Sequence, residues 1–217
     1  MTATVDVKVC GVCHAEDARV AVEAGAACIG VILAPGRLRS RTAAQAAAIF
    51  ESLAARRVGV FVDAEADEVA EAARRLSLDA VQLHGDESVD LVKRIRAAID
   101  CDVWKALRVR DGAGLAHAAD AYGSAADALL LDGWSPGAHG GAGVRFDWSA
   151  VAAAGMPPGV PLIVAGGLTA ENVAAAVALL RPSMVDVSSG VETEPGRKSA
   201  EKIHAFIAAA RGARTVR

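Results

Sequence analysis

The chain has 217 residues, a formal net charge of −3, 53% hydrophobic residues and only 4% aromatics. That length suits one domain, or at most two small ones, with a sizeable core. A slightly acidic, aromatic-poor chain lacks the basic patches and stacking platforms of a nucleic-acid binder, and no apolar run approaches the ~18 residues of a membrane span.

The opening "MTATVDVKVC" has neither the basic nor the apolar region of a secretory signal. A cytoplasmic location is therefore expected, with Cys10, Cys13, Cys28 and Cys101 as reduced thiols. Along the chain, short apolar runs alternate with Ala-rich amphipathic segments. The predicted strands cover 5–11, 28–33, 57–62, 80–85, 102–109, 128–133, 161–167 and 184–190. Between and after them come predicted helices over 16–24, 43–55, 65–76, 88–98, 113–121, 148–154, 171–180 and 198–211. Thr42 with Gln45 fits a capping box before the second helix, and Gly25 sits where a C-terminal glycine belongs after the first. The fifth helix, Gly-bounded in "GAGLAHAADAYG", is expected to be irregular.

Eight β and eight α units in strict alternation argue for a parallel sheet wrapped in helices. The strands read as continuous apolar runs, as sheets buried on both faces do. Eight repeats close a (β/α)8 TIM barrel, here a compact one, since ~250 residues is typical. A doubly wound open sheet is the alternative. No linker or composition break divides the chain, so 1–217 reads as one domain with a loose tail after about 211.

The stretch "KVCGVCH" (8–14) matches the C-x-x-C-H pattern of c-type haem attachment, and C-x-x-C alone suggests a redox pair or half a zinc site. Haem attachment belongs to an oxidising, exported compartment, which the opening of the chain does not suggest. Zinc needs a second close Cys/His pair, but His84, His117, His139 and His204 are scattered singly. A redox pair places its first Cys at a helix N-terminus, whereas Gly11 and Val12 carry the chain away from Cys10. No metal and no cofactor are expected, and Cys13 reads as an inert buried thiol.

In such barrels the active site lies at the C-terminal ends of the strands. These ends carry Cys10, the arginines of "APGRLRSR" (34–41), His84, Asp132 and several glycines. Residues two apart on a strand share a face. Lys8 with Cys10, Gln82 with His84, and Asp186 with Ser188 should therefore point into the barrel mouth. Val7, Val9, Leu83 and Val187 should face the helices. The Gly-rich stretches "PGAHGGAG" (136–143), "VAGG" and "VSSG" suggest a phosphate site built from backbone N–H groups, two of them after strands 7 and 8.

Six motifs in order, "KVCG" (8–11), "QLHG" (82–85), "LLLD" (129–132), "GGAGVRFDW" (140–148), "VAGGLTAENV" (164–173) and "DVSSGVETEPGRK" (186–198), resemble the phosphoribosylanthranilate isomerase family of tryptophan biosynthesis. The resemblance spans nearly the whole chain. It implies a cofactor-free Amadori rearrangement of a small phosphorylated substrate. Asp132 would be the general acid that opens the furanose ring, and Cys10 the general base that removes the C2′ proton. Lys8 would supply the positive charge that favours a thiolate. Arg39 would hold the anthranilate carboxylate, Asp186 would sit by the ribose hydroxyls and His84 would line the mouth. Gly143, Gly166, Gly167, Ser188, Ser189 and Gly190 would cradle the phosphate. The protein would act as a monomer or a homodimer.

The chain departs from the family pattern in three places. Cys13 stands where threonine or another polar residue is usual. "RLRSR" (37–41) replaces a segment usually reading S-P-R, so that Arg37 and Arg41 compete with Arg39 for the carboxylate. The aromatic residues usual in that loop are missing. The competing readings are a related sugar-phosphate isomerase, disfavoured by Cys10 on strand 1, and an inactive phosphate-binding paralogue. A metal-dependent pentose-phosphate epimerase would need inward ligands on several strands, and only His84 fits.

Overall fold

The computed structural model describes residues 4–109, 115–133, 146–155 and 159–213. Among them, eight parallel strands close into a barrel in sequence order, β1 (Asp6–Val9), β2 (Cys28–Ile32), β3 (Arg56–Phe61), β4 (Ala80–Leu83), β5 (Asp102–Val109), β6 (Ala128–Gly133), β7 (Leu162–Val164) and β8 (Met184–Val187). The helices that follow them are α1 (Ala15–Glu23), α2 (Ala43–Phe50), α3 (Ala66–Leu76), α4 (Val89–Ala98), α5 (Leu115–Gly123), α6 (Trp148–Ala154), α7 (Val173–Leu180) and α8 (Ala200–Gly212). The barrel closes by pairing β1 with β8, Lys8 opposite Asp186. The open-sheet alternative is thereby excluded. Among the described residues no helix is long and apolar enough to cross a membrane.

Local chemistry sets the ends of these elements. The Thr42–Gln45 capping box is present in both directions, and Gly25 adopts φ +105° just past α1. Two predicted strands, the first and the seventh, run too far, because Gly11 in one and Gly166 and Gly167 in the other take positive φ and turn the chain out of the sheet. Helix α2 stops at Phe50 rather than 55, and Ser52 follows in a left-handed conformation. Helix α7 starts at Val173 because the Asn172 carboxamide oxygen accepts from Thr169 N, tying the preceding turn. Helix α8 reaches Gly212, one residue past the predicted end, and the expected loose tail falls mostly on residues 214–217, outside the described residues. A feature absent from the sequence reading is a hairpin after β8. A short 3-10 turn (Ser189–Val191) leads into β9 (Glu192–Glu194), which pairs antiparallel with β10 (Arg197–Lys198) across Pro195–Gly196.

Two cores result. Val7, Val9, Leu83 and Val187 face the helix layer, as the two-residue period requires. The barrel interior is a separate cluster, where Trp104 is accommodated by small neighbours such as Ala80, Ala106, Ala128 and Ala165. This apolar plug fills the lower barrel and leaves the mouth for polar side chains.

Candidate active site

A cavity of about 340 Å³ opens at the C-terminal ends of the strands. Its lining includes Cys10, Arg39, Gln82, His84, Asp132 and Asp186, together with the β7 and β8 loops. Lys8 lies beneath, fully buried. An unpaired ammonium there would be costly, and three partners surround it. Nζ donates to Gln82 Oε1 at 2.8 Å and to Asp186 Oδ2 at 2.9 Å, and it also meets Cys10. Burial works against the charge, but Asp186, followed by Cys10, outweighs it and holds Lys8 above the ordinary lysine range. Gly30 on β2 makes room for this group, because a Cβ there would lie 2.9 Å from Cys10 Sγ and 3.0 Å from Lys8 Cε.

Cys10 behaves differently from the sequence expectation. Burial first, and the Asp186 carboxylate second, push its thiol above the ordinary value. Lys8 and Lys198 pull it down without prevailing. The positive charge expected to favour a thiolate is present, but it is largely committed to Asp186. The other oxygen of Asp186, Oδ1, is buried and has no hydrogen-bond partner among the described residues. A buried acceptor left open in this way is costly unless a ligand donates to it.

On the opposite wall, Asp132 is the penultimate residue of β6. Its Oδ1 accepts from Gly133 N at 2.8 Å, and Oδ2 lies 3.1 Å from His84 Nε2. His84 Nδ1 lies 2.7 Å from Gln82 Nε2. A continuous chain of contacts therefore runs from Lys8 through Gln82 and His84 to Asp132.

Arg39 reaches the cavity but is partly engaged. Its Nε donates to Glu192 Oε1 at 2.7 Å and its Nη2 to Oε2 at 2.5 Å. Bonding to Glu192 is the leading reason that the guanidinium sits above its usual range. Glu192 also accepts from Lys198 Nζ at 3.0 Å and from Gly196 N at 3.2 Å. Burial opposes its ionisation, but Arg39 and Lys198 win and lower its value. Among the described residues nothing bonds to Arg39 Nη1, which leaves the Nη1–Nη2 edge for a planar anion. Arg37 lines the same cavity, whereas Arg41 is bonded to the Cys13 and Ser40 carbonyls and borders a different groove. Cys13 is buried with its thiol directed at the Gly11 and Arg39 carbonyls, and burial pushes it up.

Of the expected phosphate residues, Gly166, Gly167, Ser188, Ser189 and Gly190 all line the cavity, while Gly143 lies outside the described residues. Gly166 and Gly167 take φ +82° and +61°, and among the described residues no backbone carbonyl accepts from their N–H groups. Consecutive N–H groups in such a turn can converge as an anion nest. The two loops fit together closely, because a Cβ on Gly190 would overlap the Leu168 carbonyl. Sequence reasoning missed Gly30, Glu192 and Lys198. Only the Pro195–Gly196 pair, a turn signal, could have revealed the hairpin that carries Glu192 and Lys198. Among the described residues no three His, Cys, Asp or Glu side chains gather into a possible metal site.

A family model described as N-(5'phosphoribosyl)anthranilate (PRA) isomerase matches residues 7–209. The N-(5'-phosphoribosyl)anthranilate isomerase of Acidithiobacillus ferrooxidans is 45% identical over 210 residues, covering 96% of this chain and 98% of that protein. The crystal structure of phosphoribosyl anthranilate isomerase from Thermotoga maritima superposes with a TM-score of 0.86 at 36% identity, covering 96% of this chain and 99% of that one. A crystal structure of a phosphoribosyl anthranilate isomerase in complex with reduced 1-(o-carboxyphenylamino)-1-deoxyribulose 5-phosphate matches with a TM-score of 0.82 at 35% identity, covering 96% of this chain and 99% of that one. With its barrel, its polar mouth and this near-complete match, the chain belongs to the N-(5'-phosphoribosyl)anthranilate isomerase family.

Proposed function

We propose that this protein converts N-(5'-phosphoribosyl)anthranilate to 1-(2-carboxyphenylamino)-1-deoxyribulose 5-phosphate, a step of tryptophan biosynthesis. The observation that carries the reading is one cavity walled by Cys10 on β1 and by Asp132 on β6, with an open acceptor on Asp186 and a glycine nest at its rim. In this reading Asp132, protonated, gives its hydrogen to the furanose ring oxygen. The C1′–O bond breaks and the anthranilate nitrogen becomes a Schiff base. Cys10, as thiolate, takes the C2′ proton, and the C–H electron pair forms an enolamine that tautomerises to the ketone. One acid and one base suffice, without a cofactor.

The remaining residues position the substrate. The open edge of Arg39 suits the anthranilate carboxylate. Asp186 Oδ1 accepts from a ribose hydroxyl, which satisfies the orphan oxygen. The nest at Gly166 and Gly167, with Ser188, Ser189 and Gly190 opposite, receives the phosphate, and Gly143 joins it by resemblance alone. His84 holds Asp132.

Anthranilate fluorescence changes on turnover and provides the assay. Cys10→Ala and Asp132→Asn should each lower kcat by about 10² or more, since acid–base groups contribute ~10²–10⁴. Near-wild-type turnover in either variant removes that residue from its role. Binding of the phosphate ester without conversion by the unaltered protein would favour an inactive phosphate-binding paralogue.

A further inference from the structure

The hydrogen bonds around Gln82 have a fixed direction. A lysine ammonium only donates. The Gln82 carboxamide oxygen must therefore be the atom facing Lys8 Nζ, at 2.8 Å. This sends the amide nitrogen to the other side, 2.7 Å from His84 Nδ1. An amide nitrogen also only donates. Nδ1 is then the acceptor and carries no hydrogen, and the ring's hydrogen sits on Nε2, 3.1 Å from Asp132 Oδ2. Amide orientation and imidazole tautomer are ordinarily open assignments. Here a fully buried lysine, itself pinned by Asp186, decides both.

We propose that Gln82 is a positioning residue that locks His84 as its Nε2–H tautomer, and that this lock aims the acidic proton of Asp132 into the cavity. The inference rests on the acid role assigned to Asp132 above. In the locked form, Oδ2 receives a hydrogen from His84, and Oδ1 receives one from Gly133 N at 2.8 Å. Neither neighbour can take the carboxyl proton, so it points at the bound sugar. As the proton leaves, two donors already face the carboxylate that forms. Donors placed in advance at developing charge are the strongest form of transition-state stabilisation. The opposite tautomer would offer Asp132 a lone pair. The carboxyl proton would then bond to the ring and be withheld from the substrate.

The test is the nitrogen NMR spectrum of the full chain with ring-labelled histidine, with His84 identified by the signals lost in His84→Asn. The unaltered protein should show an unprotonated Nδ1 and a protonated Nε2. Gln82→Glu presents acceptors to both Lys8 and His84, so Nδ1 should gain the hydrogen. With it, kcat should fall about tenfold or more, a fraction of the ~10²–10⁴ that an acid–base group contributes. KM should stay within about twofold, as expected when only transition-state stabilisation is lost. Gln82→Met, similar in length but with neither group, should give mixed tautomers and an intermediate loss. A hydrogen on Nδ1 in the unaltered protein overturns the proposal without any variant. So does a Gln82→Glu protein whose tautomer changes while kcat does not. The ring is read without turnover, so an inactive protein with the expected ring pattern would count against the isomerase reading and not against the lock.

Discussion

Cys10 sits in a setting that works against the chemistry proposed for it. Burial and the Asp186 carboxylate both favour the neutral thiol, and only then do Lys8 and Lys198 oppose them. A base of this kind is present as thiolate in a fraction that grows about tenfold per pH unit below its pKa. The expected outcome is that alkylation of Cys10 by iodoacetamide in the free protein speeds up with pH from neutral into the alkaline range, because the thiolate is the form that reacts. An alkylation rate already flat across that range would show a thiol ionised at neutral pH and would remove the upward shift. Much of this site could be read from sequence, because a two-residue period alone puts Lys8, Cys10, Gln82, His84 and Asp186 on the inward face. The pairings could not. Arg39 meets Glu192 across 153 positions, and nothing in "RLRSR" says which arginine is held from behind by a carboxylate. The direction of the Cys10 shift was equally hidden, since it depends first on how deeply the thiol is buried and then on the Asp186 carboxylate beside it.

At the scale of elements, the loops after β7 and β8 act as a pair. Gly190 passes so close to the Leu168 carbonyl that no side chain fits between them. Gly190→Ala should separate the loops, costing roughly 1–3 kcal/mol as overpacking does. It should also raise KM for the phosphate ester more than it lowers kcat, as thermal melts and steady-state kinetics would show. An unchanged KM would mean that the loop pair does not set the phosphate pocket. The number of strands and helices followed directly from the alternation of apolar runs. Their ends followed less well, because a positive φ at Gly11, Gly166 or Gly167 ends a strand inside a run that still reads as apolar or small. The β9–β10 hairpin escaped because "ETEPGRK" is too polar and too short to register as two strands. Yet it delivers Glu192 to Arg39 and Lys198 to Ser188 and Glu192.

At the scale of the whole molecule, the apolar barrel interior has a consequence for stability in alkali. Cys28 lies fully buried there, and burial raises its thiol to about 11 from an ordinary 9.0. The folded state therefore keeps this proton to higher pH than the unfolded chain does. The resulting stability is present in full below the unfolded value and is lost as pH rises through the window up to about 11. A shift of this size corresponds to something on the order of 3 kcal/mol. Melting temperatures should fall across that window, and less steeply for Cys28→Ala than for the unaltered protein. Parallel slopes would exclude Cys28 as a source of the loss. The barrel also has a seam. Lys8 on the first strand is neutralised by Asp186 on the last, 178 positions away. During synthesis, seven strands are made before the chain owns the carboxylate that makes burying Lys8 tolerable. A nascent barrel short of β8 carries an unmatched ammonium, whose burial would cost several kcal/mol, together with two open sheet edges. The ion pair at the heart of the site thus also acts as a completion check, because it penalises closure until the final repeat has left the ribosome.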